Sequence, residues 1–178
     1  NVRDLNGVNG FRVDDFRDES NFGASVAGLG DVNGDGFGDL AVGAPGFFGG
    51  YGYYGPYGQP RSSTYVIYGR SSSFPASFSS FAIGVDQEGF VLNASELNLE
   101  SGSDVAGVGD IDGDGLDDVL IGAPNRSGGL YDRGQAFLVP GGSTGRFRLE
   151  FEASSELRGE RSGEGTGLRV SAAGDLDA

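Results

Sequence analysis

The chain has 178 residues, a net charge of −14, and no Cys, His, Met, Trp or Lys, so all 12 cationic side chains are Arg. That composition excludes disulfides, removes the commonest general bases and covalent nucleophiles, and argues against a nucleic-acid partner, which needs a basic face. Glycine supplies 35 residues, far above the usual ~7%, which fits a turn-punctuated all-β chain.

In chain order, the first predicted strand is residues 10–14 (GFRVD). Asp14, Asp15, Asp18 and Glu19 then form an acidic run, read as a solvated connection, with a glycosidase-like carboxylate pair as the alternative. Strands over 24–30 and 39–43 flank an acidic loop. Residues 46–60 (GFFGGYGYYGPYGQP) form a Gly/Tyr/Phe-rich insertion, and strands at 63–68 and 89–93 follow. A second unit repeats the order at 104–109, 118–122, 134–139 and 147–152, and a last strand is expected near 167–173. Each is a short apolar run bounded by Gly, Pro, Asn or Asp, the pattern of strands rather than helices. The expected core is Val26, Leu40, Val42, Val66, Val105, Val108, Val119, Ile121, Phe137 and Val139. No stretch approaches the ~20 apolar residues of a membrane span, so no membrane insertion is expected.

Two nine-residue loops carry the strongest chemical signal. The first runs from Asp31 to Asp39 (DVNGDGFGD) and the second from Asp110 to Asp118 (DIDGDGLDD). Oxygen-bearing side chains stand at positions 1, 3, 5 and 9 of each, with Gly at 4 and 6. Calcium takes six to eight oxygens, and a tight glycine-hinged loop can aim alternate side chains at one centre. Clustered carboxylates repel unless a cation neutralises them, so solubility alone does not explain the spacing. An EF-hand would need a Glu at position 12, between helices. Here that position is Val42 or Ile121, inside apolar runs that close with Gly-Ala-Pro. Each loop therefore joins two strands.

The repeated phrase extends beyond the loop. Residues 22–45 read FGASVAGLGDVNGDGFGDLAVGAP, residues 101–124 read SGSDVAGVGDIDGDGLDDVLIGAP, and a third copy begins at Thr166 (TGLRVSAAGDLDA). Phe22-Gly23, Gly43-Ala44-Pro45 and Gly122-Ala123-Pro124 bracket it, with Ser101-Gly102 and Thr166-Gly167 where Phe-Gly is usual. On those residues the chain resembles the FG-GAP repeat, which builds the β-propeller at the head of integrin α subunits.

The resemblance implies an all-β fold of propeller blades, each of four antiparallel strands. The chain would hold about two complete blades plus flanking strands. Repeat one would span about 22–100, repeat two about 101–165, and a third would start at 166–178. Closed propellers have about four to eight blades, so a part of a larger propeller, with open sheet edges, is expected. Asn1 is not a natural start, which also reads as a processed or excised chain.

Two Ca2+ sites are expected. Asp31, Asn33, Asp35 and Asp39 would hold the first with the Phe37 carbonyl, and Asp110, Asp112, Asp114 and Asp118 the second with the Leu116 carbonyl. Asp117 is read as a charge neighbour. The second set has one more carboxylate and is expected to bind more tightly. Asp175 and Asp177 alone are not expected to hold a metal. Calcium would be structural, and the chain extracellular or at a cell surface, where loops of modest affinity suit the ambient calcium. The sequons at Asn93 and Asn125 fit that location.

Three functional readings follow. The first is a propeller region for adhesion or recognition of a protein or glycan ligand. The second is a structural subunit of a surface filament or cell-wall assembly, with neighbouring subunits as partners. The third is the accessory propeller of a secreted enzyme. Tyr51, Tyr53, Tyr54 and Tyr57 of the insertion could present an aromatic binding surface, or the insertion could be a low-complexity loop without a partner.

Overall fold

The computed structural model describes residues 4–17, 20–46, 62–85, 88–94, 100–124 and 133–173. Those residues form an all-β fold with one helical turn. The strands are β1 (Arg12–Asp14), β2 (Ser25–Gly30), β3 (Asp39–Ala44), β4 (Ser63–Ile67), β5 (Ser77–Ser79), β6 (Gly89–Asn93), β7 (Asp104–Gly109), β8 (Asp118–Ala123), β9 (Gln135–Val139), β10 (Gly145–Arg148) and β11 (Ser155–Arg158). The turn α1 (Leu149–Glu152) lies between β10 and β11.

Two antiparallel sheets repeat one plan. The first orders β2, β3, β4 and β6, and the second β7, β8, β9 and β11. Both carry a bulge where the inner strand enters its loop, at Gly28/Gly30 and at Gly107/Gly109. The extra residue in the first, Leu29, is buried.

The main core joins the two sheets. Ala41, Val66, Phe90 and Leu92 from the first meet Val105, Val119, Ile121, Phe137 and Val139 from the second. Apolar residues of β-branched or aromatic type dominate, as half-buried pleated surfaces favour. A second cluster covers the other face of the first sheet, where Val42, Tyr65, Ile67 and Val91 lie under Val13, Phe74 and Phe78. So β1 and β5, paired parallel, form a lid on that face.

Four expectations need correction. Two expected core residues are not core: Val108 is half-buried and outside both clusters, and Val26 is 59% exposed. It pairs with Val42 on the outer face, at the free edge strand, and lies outside the cluster under the β1–β5 lid. Residues 147–152 are not an outer strand. Phe147 ends in β10, which pairs parallel with β6, and Leu149 then turns into the shared core. The outer strand of the second sheet is β11, whose four residues are all exposed, so it has no apolar signature. Among the described residues, 167–173 form no strand; an isolated bridge joins Gly134 to Thr166. The outer edge of the first sheet is also not open, because β10 covers β6.

The glycines of the repeated phrase hold adjacent repeats together. Gly102 N–H donates to the Gly122 carbonyl of its own repeat, as Gly23 does to Gly43. A Cβ on Gly43 would sit 2.0 Å from the Gly102 carbonyl of the following repeat, and one on Gly122 would sit 2.1 Å from the Gly167 carbonyl. Backbone meets backbone at both places, so a side chain has no room. These contacts set the loops side by side at the other end of the sheets.

Candidate metal centre

Each loop spans the turn from an inner strand to its neighbour, β2 to β3 and β7 to β8. The two are wired alike. The lead carboxylate folds its own loop around it. Asp31 Oδ1 accepts Gly34 N–H at 2.8 Å and Asp35 N–H at 3.1 Å, and Oδ2 accepts Gly36 N–H at 2.7 Å. Asp110 does the same for Gly113, Asp114 and Gly115, at 2.7, 3.1 and 2.9 Å. Position 3 caps position 5, through Asn33 and Asp112, and position 5 caps position 7, through Asp35 and Asp114.

Position 9 is the buried anchor. Asp39 is 4% exposed and Asp118 1%. Asp39 accepts Val32 N–H at 2.8 Å and Gly69 N–H at 2.7 Å. Asp118 accepts Ile111 N–H at 2.9 Å and Gly141 N–H at 3.0 Å. One carboxylate thus ties the loop to the turn after the third strand of its sheet. In the second loop Asp110, Asp112 and Asp118 present oxygens all within 4.8 Å of one another.

The electrostatics match that arrangement. The Gly36 N–H and its neighbours hold the Asp31 carboxyl below its ordinary pKa. Burial pushes Asp39 up, and the negative charges of Asp35 and Asp31 add to the push. An all-acceptor set with mutual repulsion is the environment a hard divalent cation relieves. Oxygen donors alone, with no thiolate or imidazole in the chain, suit calcium, magnesium or manganese rather than zinc or copper. The residues present therefore fit the group.

Outside the loops, the acidic run near the start behaves differently from its sequence reading. Asp15 is not solvated: its side chain is 3% exposed and pairs with Arg17 at 3.1 Å. It also accepts Ser20 Oγ at 2.5 Å and Ser80 Oγ at 2.6 Å. Burial pushes its carboxyl up, but the bonds from Arg17, Ser20 and Ser80 outweigh that and hold it below the usual range. The Arg17 guanidinium in turn lies 5.2 Å over the Tyr65 ring. Asp14 pairs with Arg12. Both described carboxylates are thus engaged, while Asp18 and Glu19 lie outside the described residues. So do 47–60, 125–132, Asp175 and Asp177. Asn93 ends β6 half-buried, its Oδ1 accepting Ser63 Oγ.

Fold and loops together define an all-β repeat protein of propeller type with acidic loops between inner strands. Residues 22–59 and 101–139 match the FG-GAP repeat, so the chain carries FG-GAP repeats. It is similar to integrin alpha-PS2 of Drosophila melanogaster, 34% identical over 125 residues that cover 70% of this chain and 8% of that protein. It is similar to human integrin alpha-IIb, 36% identical over 127 residues, 71% of this chain and 11% of the relative. Mouse phosphatidylinositol-glycan-specific phospholipase D is 36% identical over 117 residues, 65% of this chain and 12% of the enzyme. The chain thus spans about a tenth of the length of each.

Proposed function

We propose that the chain is a calcium-stabilised propeller region of an extracellular or cell-surface protein that recognises a protein or glycan, and that it is not itself catalytic. The observation that carries the calcium reading is the shared wiring of the two loops around a buried ninth-position carboxylate. Asp31, Asn33, Asp35, Asp39 and the Phe37 carbonyl would hold one Ca2+. Asp110, Asp112, Asp114, Asp118 and the Leu116 carbonyl would hold the other. The ions would supply positive charge that locks the strand-to-strand turns, and they would stabilise the fold by binding only its folded form. Similarity to integrin alpha chains supports the recognition reading. The test is thermal unfolding in millimolar calcium and in chelator, paired with light scattering. A compact monomer whose melting temperature falls in chelator fits a binding module. Equal melting temperatures would sink the structural role of calcium, and large regular oligomers would point to an assembly subunit.

The match to a phospholipase supports a second reading, an accessory propeller beside a catalytic domain. In that case chemistry lies outside these residues, and the isolated chain shows no hydrolase activity on glycolipid anchors while retaining calcium binding.

A further inference from the structure

The two loops touch, and the contact runs through a residue outside both ligand sets. Asp117 Oδ2 accepts the Asp31 backbone N–H at 2.6 Å, and the Asp117 N–H donates to the Asp31 carbonyl at 3.0 Å. Gly30 makes the approach possible, since a Cβ there would lie 2.0 Å from Asp117 Oδ2. Next to Asp117, Leu116 covers Gly34, where a Cβ would lie 2.9 Å from Leu116 Cδ2. The result is visible in burial: Val32 in the first loop is 0% exposed, and its counterpart Ile111 in the second is 58% exposed. At the position of Asp117 the first loop has Gly38, which offers no such carboxylate.

We propose that Asp117 is a positioning residue that couples the two metal loops, so that filling the second raises the affinity of the first. This rests on the calcium reading above. The second loop's ligands Leu116 and Asp118 flank Asp117, and holding them at a common ion fixes the backbone between them. A fixed Asp117 holds Asp31 by both its N–H and its carbonyl. Asp31 is the lead ligand, and its carboxylate already organises three N–H groups of the first loop. By linkage the effect is reciprocal.

The test uses terbium as the probe ion on the full chain, read by tyrosine-sensitised luminescence. Among the described residues, Tyr68 shares a cleft with Asn33 and Asp35 of the first loop, whereas Pro140 holds the corresponding place beside the second. The part of the signal that Asp31→Ala abolishes is assigned to the first loop. With Asp117 intact, Asp112→Ala in the second loop should weaken terbium binding at the first by about fivefold or more, the lower end of ordinary coupling. In the Asp117→Ala background the same change should leave that affinity within about twofold, below ordinary coupling. Asp117→Asn, which keeps an acceptor oxygen, should restore the effect. Equal weakening in the Asp117 and Asp117→Ala backgrounds overturns the proposal. So does an unchanged affinity in Asp112→Ala alone, an arm that needs no alteration at Asp117. Absence of terbium binding to the unaltered chain overturns the calcium reading itself.

Discussion

Replacing Asp118 with Ala separates the two roles its carboxylate plays. It accepts two backbone N–H groups, from Ile111 and Gly141. Bonds to a charged acceptor contribute about 1.5–3 kcal/mol each, so their loss costs about 3–6 kcal/mol. Against that stands like-charge repulsion from Asp110 and Asp112, whose oxygens lie within 4.8 Å. At that distance each pair repels by about 1 kcal/mol in bulk water and about 3.5 kcal/mol at an effective dielectric constant of 20. Two such pairs relieve about 2–7 kcal/mol, so without metal the two terms nearly cancel. The expected destabilisation in chelator is within about 1 kcal/mol. With calcium present the parent gains the free energy of binding the ion, and the variant, which lacks a ligand, does not. Loss of an ion held at 100 times its Kd adds about 2.7 kcal/mol. Urea unfolding in calcium should therefore show a loss about 2.7 kcal/mol larger than in chelator, about 2–4 kcal/mol in all. The same loss in both media would refute the argument, because it would make Asp118 a plain backbone clamp.

Four further outcomes follow from the same geometry. Asp15→Asn leaves Arg17 without its buried partner and should cost about 3 kcal/mol near neutral pH. Because the folded carboxyl titrates below its ordinary value of 3.8, its contribution is fully present above pH 3.8 and fades as pH falls through the lower folded value. The gap between variant and parent melting temperatures should therefore close only in strong acid, and a constant gap would count against the ion pair. Exchanging the position-3 ligands, Asn33→Asp in one variant and Asp112→Asn in another, should strengthen the first site and weaken the second in calorimetric titrations; an unchanged ranking with both changes combined would remove ligand charge as the cause. Phe137→Ala, at a ring 1% exposed in the core that joins the sheets, should cost about 3–5 kcal/mol in denaturant unfolding. Gly43→Ala places a methyl 2.0 Å from the Gly102 carbonyl and should lower the melting temperature, whereas Gly36→Ser, with open space at its Cβ, should strain only its own backbone (φ +87°).

The repeat, the strand-to-strand loops and the four-strand sheets were legible because each has a local signature. Glycine at loop positions 4 and 6, apolar runs closed by Gly-Ala-Pro, and the recurrence of the whole phrase all lie within short windows. The parts that escaped depend on contacts far apart in sequence. β11 is fully exposed, so no periodicity marks it, while the apolar Phe147 and Leu149 read as an outer strand of the second sheet although β10 pairs with the first. Val26 alternates correctly with Val42, but alternation does not say which of two apolar faces is covered. Asp15 reads as solvated because its partner Ser80, and Ser63, which accepts a bond from its ion-pair partner Arg17, lie distant in the chain. Asp117 carried one overlooked signal: the first loop has Gly at the same place, so the residue is not needed by its own loop. Gly30, immediately before Asp31, makes room for it.

The central claim is that both loops are structural calcium sites, and calorimetric titration of calcium into the metal-free chain tests it most directly. The account predicts two ions per chain, one lost in Asp31→Ala and the other in Asp110→Ala. No binding heat, or two ions that persist in both variants, would contradict it.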